Sequence, residues 1–162
     1  MSNEHLGKCN TTNRYVLDWV EVCTRHCQPD QVFWCDGSEA EKEFLTKLAV
    51  DTGVLIPLNQ EKLPGCYLHR SNPNDVARVE QCTFICTPSE DEAGPTNNWM
   101  SPREMYAKIR PLTAGGMRGR TMYVVPYLMG PPGSPLTKVG IELTDSVYVV
   151  LSMRVMARMG KL

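Results

Sequence analysis

Two pairs of cysteines, Cys23/Cys27 and Cys82/Cys86, have types and spacing that could bind a metal, and the chain holds seven cysteines in all. Structural zinc sites usually begin with more closely spaced pairs on a turn. The first pair here falls one turn apart on a predicted helix, and the second falls on one face of a predicted strand. We interpret both pairs as small buried apolar residues, with a structural zinc module as the alternative. The odd count argues against a disulfide framework.

A second group of chemically capable residues is Asp75, Arg78 and Glu80, in the run Asp-Val-Ala-Arg-Val-Glu. A guanidinium is planar and permanently charged, so Arg78 could hold a ligand carboxylate through two parallel hydrogen bonds. It could equally form a surface ion pair with Asp75 or Glu80. From the residue types alone, the ion pair is the better interpretation.

Sequence patterns for nucleotide binding are absent. The glycines between 130 and 140 are not followed by the Gly-Lys-Ser/Thr that a phosphate-binding loop requires, and no Gly-x-Gly-x-x-Gly occurs. The run Gly-Pro-Pro-Gly-Ser-Pro at 130–135 could approach an anion through backbone N–H groups, but its three prolines lack that donor. We interpret it as a structural connection.

The elements that must position these residues follow from apolar periodicity and from cap signals. A Ser-x-x-Glu capping box opens a helix at Ser38, and Ser101-Pro102 opens another that should end before Pro111. A last helix, capped by Thr144 or Asp145, should run to Met159. Further helices are predicted over 13–27 and 76–80, and strands over 31–35, 54–58, 66–70, 83–87, 120–129 and 138–144, with a loop over 88–98.

This alternation of strands and helices predicts an α/β fold, with a mixed sheet flanked by helices. The 162 residues suffice for one domain with a core, for which we expect a disordered tail over residues 1–12. The polar N-terminal segment has no apolar signal region, and no apolar run is long enough for a membrane span. These features favour the cytoplasm and no membrane partner.

Charge is unevenly distributed along the chain. Residues 1–102 carry 8 basic and 15 acidic residues, a balance of −7, whereas residues 103–162 carry 9 and 3, a balance of +6. A basic half could attract phosphate or carboxylate ligands, but complementary surfaces explain the pattern equally simply. No basic run with interleaved aromatic residues occurs, so we expect no nucleic-acid partner.

Several long runs, in order, resemble GTP-dependent phosphoenolpyruvate carboxykinases. The strongest covers Gly119–Gly160, with GRTMYV, MGP, GSP, GIELTDS, SMR and RMG. Shorter runs are CDGS at Cys35–Ser38, DVAR-x-E at Asp75–Glu80, and WMS at Trp99–Ser101. The resemblance covers residues from about 14 to 160 and implies the N-terminal, substrate-binding lobe of such an enzyme.

The resemblance implies a gluconeogenic reaction, in which oxaloacetate and GTP give phosphoenolpyruvate, carbon dioxide and GDP with manganese or magnesium. It places Arg78 at the substrate carboxylate and Glu80 nearby, either with a lid outside this chain or orienting Arg78. The family's metal ligands, nucleotide loop and lid would lie beyond residue 162, in a C-terminal lobe absent from this chain. We therefore expect the isolated chain to bind neither metal nor GTP and to be inactive. A stand-alone, non-catalytic anion-binding module is the alternative.

Overall fold

A computed structural model describes residues 6–9, 11–73 and 79–160 of the chain. In these ranges the elements are α1 (Arg14–Cys27), β1 (Gln31–Trp34), α2 (Glu39–Asp51), β2 (Ile56–Pro57), β3 (Tyr67–Leu68), β4 (Phe84–Ile85), β5 (Asn98–Trp99), α3 (Pro102–Thr113), β6 (Thr121–Met129), β7 (Lys138–Thr144), α4 (Val147–Met156) and β8 (Arg158–Met159). Two short 3-10 helices cover Glu80–Cys82 and Glu90–Ala93. The predicted α/β class with a mixed sheet is confirmed.

The chain forms two compact units. The first comprises the described parts of Met1–Arg70 and Met117–Leu162, and the second is built from Ser71–Gly116. The sheet of the first unit has the order β1-β6-β7, with β1 parallel to β6 and β7 antiparallel to it. Strand β8 also pairs antiparallel with β6, at Tyr127 and Leu128, beyond the residues that pair with β1. The long strand β6 therefore organises this unit.

The hydrophobic core lies on one face of this sheet. Phe33, Tyr123 and Val125 alternate onto that face, as the two-residue period of strands requires. They pack in one cluster with residues of α2 and α4, including Leu45 and Val150, which are fully buried. Burying such aliphatic side chains stabilises the fold by about 1.5–3 kcal/mol each.

The opposite face of the sheet, which we call the outer face, is approached by α1. The Asn13 carboxamide caps this helix by accepting from first-turn N–H groups, and Gln28 ends it in the left-handed conformation at φ 53°. Val20 of α1 is buried, and the Thr24 hydroxyl lies 3.7 Å from the Met122 sulfur. Helices therefore occupy both sides of the sheet, as the sequence predicts.

Several predicted boundaries are wrong, for local physical reasons. Helix α3 continues past Pro111 to Thr113, because a proline in the last turn removes only one hydrogen bond. Helix α4 ends at Met156 rather than Met159, because Arg158 and Met159 pair with β6. Its N-cap is Ser146, whose hydroxyl accepts from the Val149 N–H, and not Thr144 or Asp145.

The predicted strands near the middle of the sequence are shortened to two-residue ladders. Strands β2 and β3 pair antiparallel in the first unit, and β4 and β5 pair parallel in the second. Within 88–98, predicted as loop, Glu90–Ala93 forms a turn of 3-10 helix. Of the residues expected to be a disordered tail, Leu6 packs against the core and Gly7 forms a bridge with Trp34. In the described parts of the chain, no helix combines the length and apolarity that a membrane span needs.

Candidate functional site

The candidate substrate residue Arg78 lies outside the described residues, as does most of the predicted turn and helix around it. Val79, the first described residue after Arg78, is extended, with φ −113° and ψ 105°. The predicted helical piece therefore does not run continuously into Glu80. Glu80 instead begins the 3-10 helix that follows.

The backbone around Glu80 is fixed by a side chain distant in sequence. The Asn98 carboxamide donates to the Glu80 carbonyl oxygen at 2.8 Å and to the Thr83 carbonyl oxygen at 3.2 Å. The Thr83 N–H also donates to the Glu80 carbonyl, at 3.1 Å, and its hydroxyl donates to the Val79 carbonyl at 2.7 Å. These bonds hold the turn in one conformation and leave the Glu80 side chain uncommitted.

An open polar cleft of about 590 Å³ lies at this turn in the second unit. Its lining includes Glu80, Gln81, Thr83, Thr96 and Asn98. The Glu80 carboxylate makes no ion pair or hydrogen bond with any residue that the structure describes. It is therefore available to a ligand, to a further polypeptide segment, or to the arginine two residues before it.

The arrangement of the cysteines disagrees with part of the sequence prediction. Cys23 and Cys27 lie on α1 as expected, but Cys82 ends a 3-10 helix and Cys86 follows β4, and both are exposed. All seven cysteines are free thiols, of which only Cys35 is buried. Burial raises the pKa of the Cys23 thiol, and the neighbouring Cys27 raises it further. Nowhere in the described ranges do three or more metal-ligating side chains of the His, Cys, Asp or Glu type gather.

The first unit contains a buried polar network around Glu41, whose partners differ from those that the capping-box pattern predicts. The Ser38 hydroxyl accepts from the Glu41 N–H at 3.1 Å, as the capping box predicts. The Glu41 carboxylate, however, does not return to the Ser38 N–H. It accepts from the N–H groups of Asp36, at 2.5 Å, and Gly37, at 3.2 Å. Glu41 thereby holds the loop between β1 and α2.

Arg154 of α4 supplies the charge that faces this carboxylate. Its guanidinium lies 3.6 Å from Glu41, which is fully buried, and 3.1 Å from Glu39, which is exposed. The buried Nη1 of Arg154 donates no hydrogen bond to any described residue. Burial raises the pKa of the Glu41 carboxyl, with a further contribution from Asp36, while the two N–H donors and Arg154 lower it. The contact between Glu41 and Arg154 is structural, since the carboxylate is fully buried and the guanidinium is largely enclosed.

A ring contact that the sequence did not indicate joins α4 to the segment after β3. His69 stacks on Tyr148 with ring centroids 3.8 Å apart, and His69 Nδ1 lies 2.7 Å from the Val54 carbonyl oxygen. This oxygen can only accept, so Nδ1 carries the hydrogen. The contact fixes the histidine ring within the first unit.

These observations define an α/β domain with a mixed sheet, accompanied by a smaller unit that carries a polar cleft. A sequence model described as the phosphoenolpyruvate carboxykinase N-terminal domain matches residues 18–162. The chain belongs to this family, which confirms the resemblance seen in the sequence.

The chain is also similar to proteins named phosphoenolpyruvate carboxykinase [GTP]. The protein from Anaeromyxobacter dehalogenans (strain 2CP-C) is 63% identical over 151 residues, which are 93% of this chain and 25% of that protein. The protein from Corynebacterium kroppenstedtii is 57% identical over 155 residues, 96% and 25% of the two chains. That from Neocallimastix frontalis is 50% identical over 152 residues, 94% and 25%. The chain thus spans about a quarter of the length of these relatives.

Proposed function

We propose that this chain is the N-terminal part of a GTP-dependent phosphoenolpyruvate carboxykinase that acts in the cytoplasm. The observation that carries the proposal is the 63% identity with the Anaeromyxobacter dehalogenans protein over 93% of the chain. The full-length protein would convert oxaloacetate and GTP into phosphoenolpyruvate, carbon dioxide and GDP, using manganese or magnesium.

The chemistry defines what the N-terminal part must contribute. Breaking the bond to the departing carboxylate releases carbon dioxide and leaves an enolate. The enolate oxygen then attacks the γ-phosphorus of GTP, and GDP leaves. The protein assists chiefly by positioning the reactants and stabilising charge. A group that fixes the remaining carboxylate of the substrate therefore has a direct effect on the rate.

Arg78 is the residue to which we assign that role. Its support is the match to DVAR-x-E and the geometry of carboxylate recognition by a guanidinium. We assign Glu80 a supporting role, either in orienting Arg78 or in contacting a lid outside this chain. Its uncommitted carboxylate and its position at the polar cleft agree with either role.

The metal and the nucleotide are not assigned to residues of this chain. In the ranges that the structure describes, no metal-ligating group of three or more side chains forms. We expect a C-terminal lobe, corresponding to the remaining three quarters of the relatives, to hold manganese and GTP. That lobe is the partner we propose for this chain, besides oxaloacetate and phosphoenolpyruvate.

The proposal is tested by joining this chain to the remaining three quarters of the Anaeromyxobacter dehalogenans relative. We expect the joined protein to make phosphoenolpyruvate from oxaloacetate, GTP and manganese, and the isolated 18.2 kDa chain to make none. Turnover by the isolated chain would overturn the proposal. If the joined protein folds but is inactive, while the isolated chain binds phosphoenolpyruvate by calorimetry, the chain is instead a non-catalytic anion-binding module.

The role of Arg78 is tested by Arg78→Ala in the same joined protein. Losing a charge-assisted bidentate contact should cost roughly 2–4 kcal/mol of transition-state stabilisation, which is about 30- to 1000-fold in kcat/KM for oxaloacetate. Arg78→Lys should recover only part, because an ammonium cannot form the fork. Arg70→Ala, at an exposed arginine, is the matched control and should stay near normal. A melting temperature many degrees lower, or near-normal kcat/KM, would make Arg78 a structural residue.

A further inference from the structure

Strand β7 lies at one end of the sheet order β1-β6-β7, so one of its two edges has no neighbouring strand among the described residues. Strand β7 pairs with β6 along its whole length, from Lys138 opposite Met129 to Thr144 opposite Tyr123. No other strand of the described chain pairs with it. Its second edge is therefore open over seven residues.

The hydrogen bonds of β6 decide which residues of β7 point to that open edge. The carbonyl oxygens of Val124 and Pro126 accept from Cys35 and Gly160 respectively, on the side of β1 and β8. Backbone groups alternate sides along a strand, so the intervening residues of β6 are the ones that bond to β7.

Because β6 and β7 pair residue by residue, the backbone groups of β7 alternate between β6 and the open edge in the same way. Gly140, Glu142 and Thr144 are paired with the β6 residues that face them, and so direct their N–H and C=O groups to β6. The alternate residues Val139, Ile141 and Leu143 direct theirs outwards. None of these three has a hydrogen bond on the open side with any described residue. The edge thus presents three N–H donors and three carbonyl acceptors in strand geometry.

The side chains of β7 protect this edge only in part. Edges of natural sheets are usually interrupted by proline, a bulge or charged residues, and the two charged residues here, Lys138 and Glu142, belong to the set that bonds to β6. The outward-bonding residues here are all aliphatic and share the outer face, and Val139 is 77% exposed. An apolar cleft of about 370 Å³ adjoins them, lined also by Val16, Trp34 and Pro126. The edge thus combines unpaired backbone groups with an apolar surface, the two features by which proteins recognise an extended segment through strand addition.

We propose that this edge pairs with a further β-strand from the rest of the full-length protein, and that this strand places apolar side chains over Val139 and Ile141 on the outer face. The relatives have three quarters of their length beyond the matched region, which is ample for such a segment. The proposal rests on family membership and not on the reaction.

A second copy of this chain is the competing occupant of the edge. Two copies paired antiparallel about Gly140 would place Val139 opposite Ile141 and Lys138 opposite Glu142, which gains two cross-strand ion pairs. A strand of the same polypeptide is preferred because it pairs at a high effective concentration, whereas a second copy pairs only as the protein concentration rises.

Amide hydrogen exchange at single-residue resolution tests the proposal. In the isolated chain at low concentration, the amides of Val139, Ile141 and Leu143 should exchange fast and those of Gly140 and Glu142 slowly. In the joined protein, the three fast amides should slow by on the order of 100-fold or more, because they become ladder donors. Persistence of the fast alternation in a folded joined protein would overturn the proposal. So would protection in the isolated chain that appears only as concentration rises, which would assign the edge to a second copy.

A pair of variants separates the edge hydrogen bonds from the apolar contact. Ile141→Pro removes an outward donor without removing one from the β6–β7 ladder, whereas Ile141→Ala keeps the donor and loses the side chain. In the joined protein, Ile141→Pro should abolish the protection of Val139 and Leu143, and Ile141→Ala should retain most of it. Equal protection in both variants would contradict strand pairing. If the joined protein does not fold, the full-length relative answers the same question at its strand aligned with β7.

Discussion

The two compact units differ in how they are held together. Of the buried apolar residues in the described chain, all but Ala93 belong to the first unit. In the second unit, side chains distant in sequence bond to backbone carbonyls, as Asn98 does to Glu80 and Trp99 to Thr87. Because apolar burial is the dominant favourable term in folding, the first unit supplies most of the stability.

The difference in buried apolar surface determines which unit opens more easily. The candidate site, Arg78 with Glu80, is in the unit with little buried apolar surface. Segments with few buried contacts open locally at a low free-energy cost. We therefore expect that a ligand or a further polypeptide segment can reorganise the second unit without unfolding the sheet of the first.

The largest expected contrast between the units is in thiol reactivity. Cys35 in the first unit is fully buried, and burial, with Glu41 and Asp36 nearby, raises the pKa of its thiol. Cys86 in the second unit is exposed. Reaction at Cys35 must await opening of the fold at a cost of about 5 kcal/mol or more, so Cys86 should be alkylated on the order of 10⁴-fold faster.

Peptide mapping after timed alkylation measures this contrast, and elemental analysis of the same sample should find no stoichiometric zinc. Comparable rates at Cys35 and Cys86 would show that the first unit is not the more stable one. Bound zinc that protects Cys82 and Cys86 together would revive the zinc module.

The next largest effect should come from Arg154→Met. This change keeps the aliphatic stem and leaves the buried Glu41 carboxylate without its cation, so it should lower the free energy of unfolding by about 3–5 kcal/mol. The control is Glu39→Gln, which removes the exposed partner of the same guanidinium and should change stability little. Urea unfolding of the isolated chain measures both, and the double variant Arg154→Met/Glu41→Gln should recover part of the loss. Equal effects of Arg154→Met and Glu39→Gln would mean that the buried pair contributes nothing.

The pH dependence of stability should report on the same network. The pKa of Glu41 is raised above its ordinary value, chiefly by burial. The folded state therefore holds this proton more tightly than the unfolded state, and the stabilisation is present at low pH and lost as pH rises through the folded pKa. Relative to Glu41→Gln, the native chain should lose stability as pH rises above about 4.3, the usual pKa of a glutamate in an unfolded chain, by at most about 1.4 kcal/mol per pH unit. A relative stability that rises with pH would show that hydrogen bonding outweighs burial at this carboxylate.

The sequence predicts the long elements well because their signals are local and repeated. The helices α1 and α2 and the strands β6 and β7 start and end within about two residues of their predicted bounds, since apolar period and caps act within each segment. The end of α4 could not be predicted, because Arg158 and Met159 leave the helix to pair with a strand some 30 residues earlier. Tertiary pairing overrides local propensity there.

The candidate site is less predictable from residue types than the fold. The residue types indicate only an ion-pair role for Glu80, and its place near the substrate is implied by the resemblance alone, since its cleft is lined by Asn98, which no spacing rule connects to it. The role of Glu41 is missed because a capping box indicates a local partner, whereas its cation, Arg154, lies 113 positions along the chain. The role of Arg78 stays a prediction.

The smallest expected effect concerns the turn at Glu80 in the second unit. Asn98→Ala removes two donors to the turn at Glu80, so it should weaken that turn by about 1–2 kcal/mol. We expect the amides of Cys82 and Thr83, which bond within the turn, to exchange about 5- to 30-fold faster. The urea midpoint of the first unit, followed at the Leu45 amide, should not move. Gln81→Ala, at an exposed residue of the same cleft that bonds to no described residue, is the matched control and should leave both readouts unchanged. If Asn98→Ala lowers the stability of both units equally, they unfold as one cooperative body, and the division between a stabilising unit and a site-bearing unit is wrong.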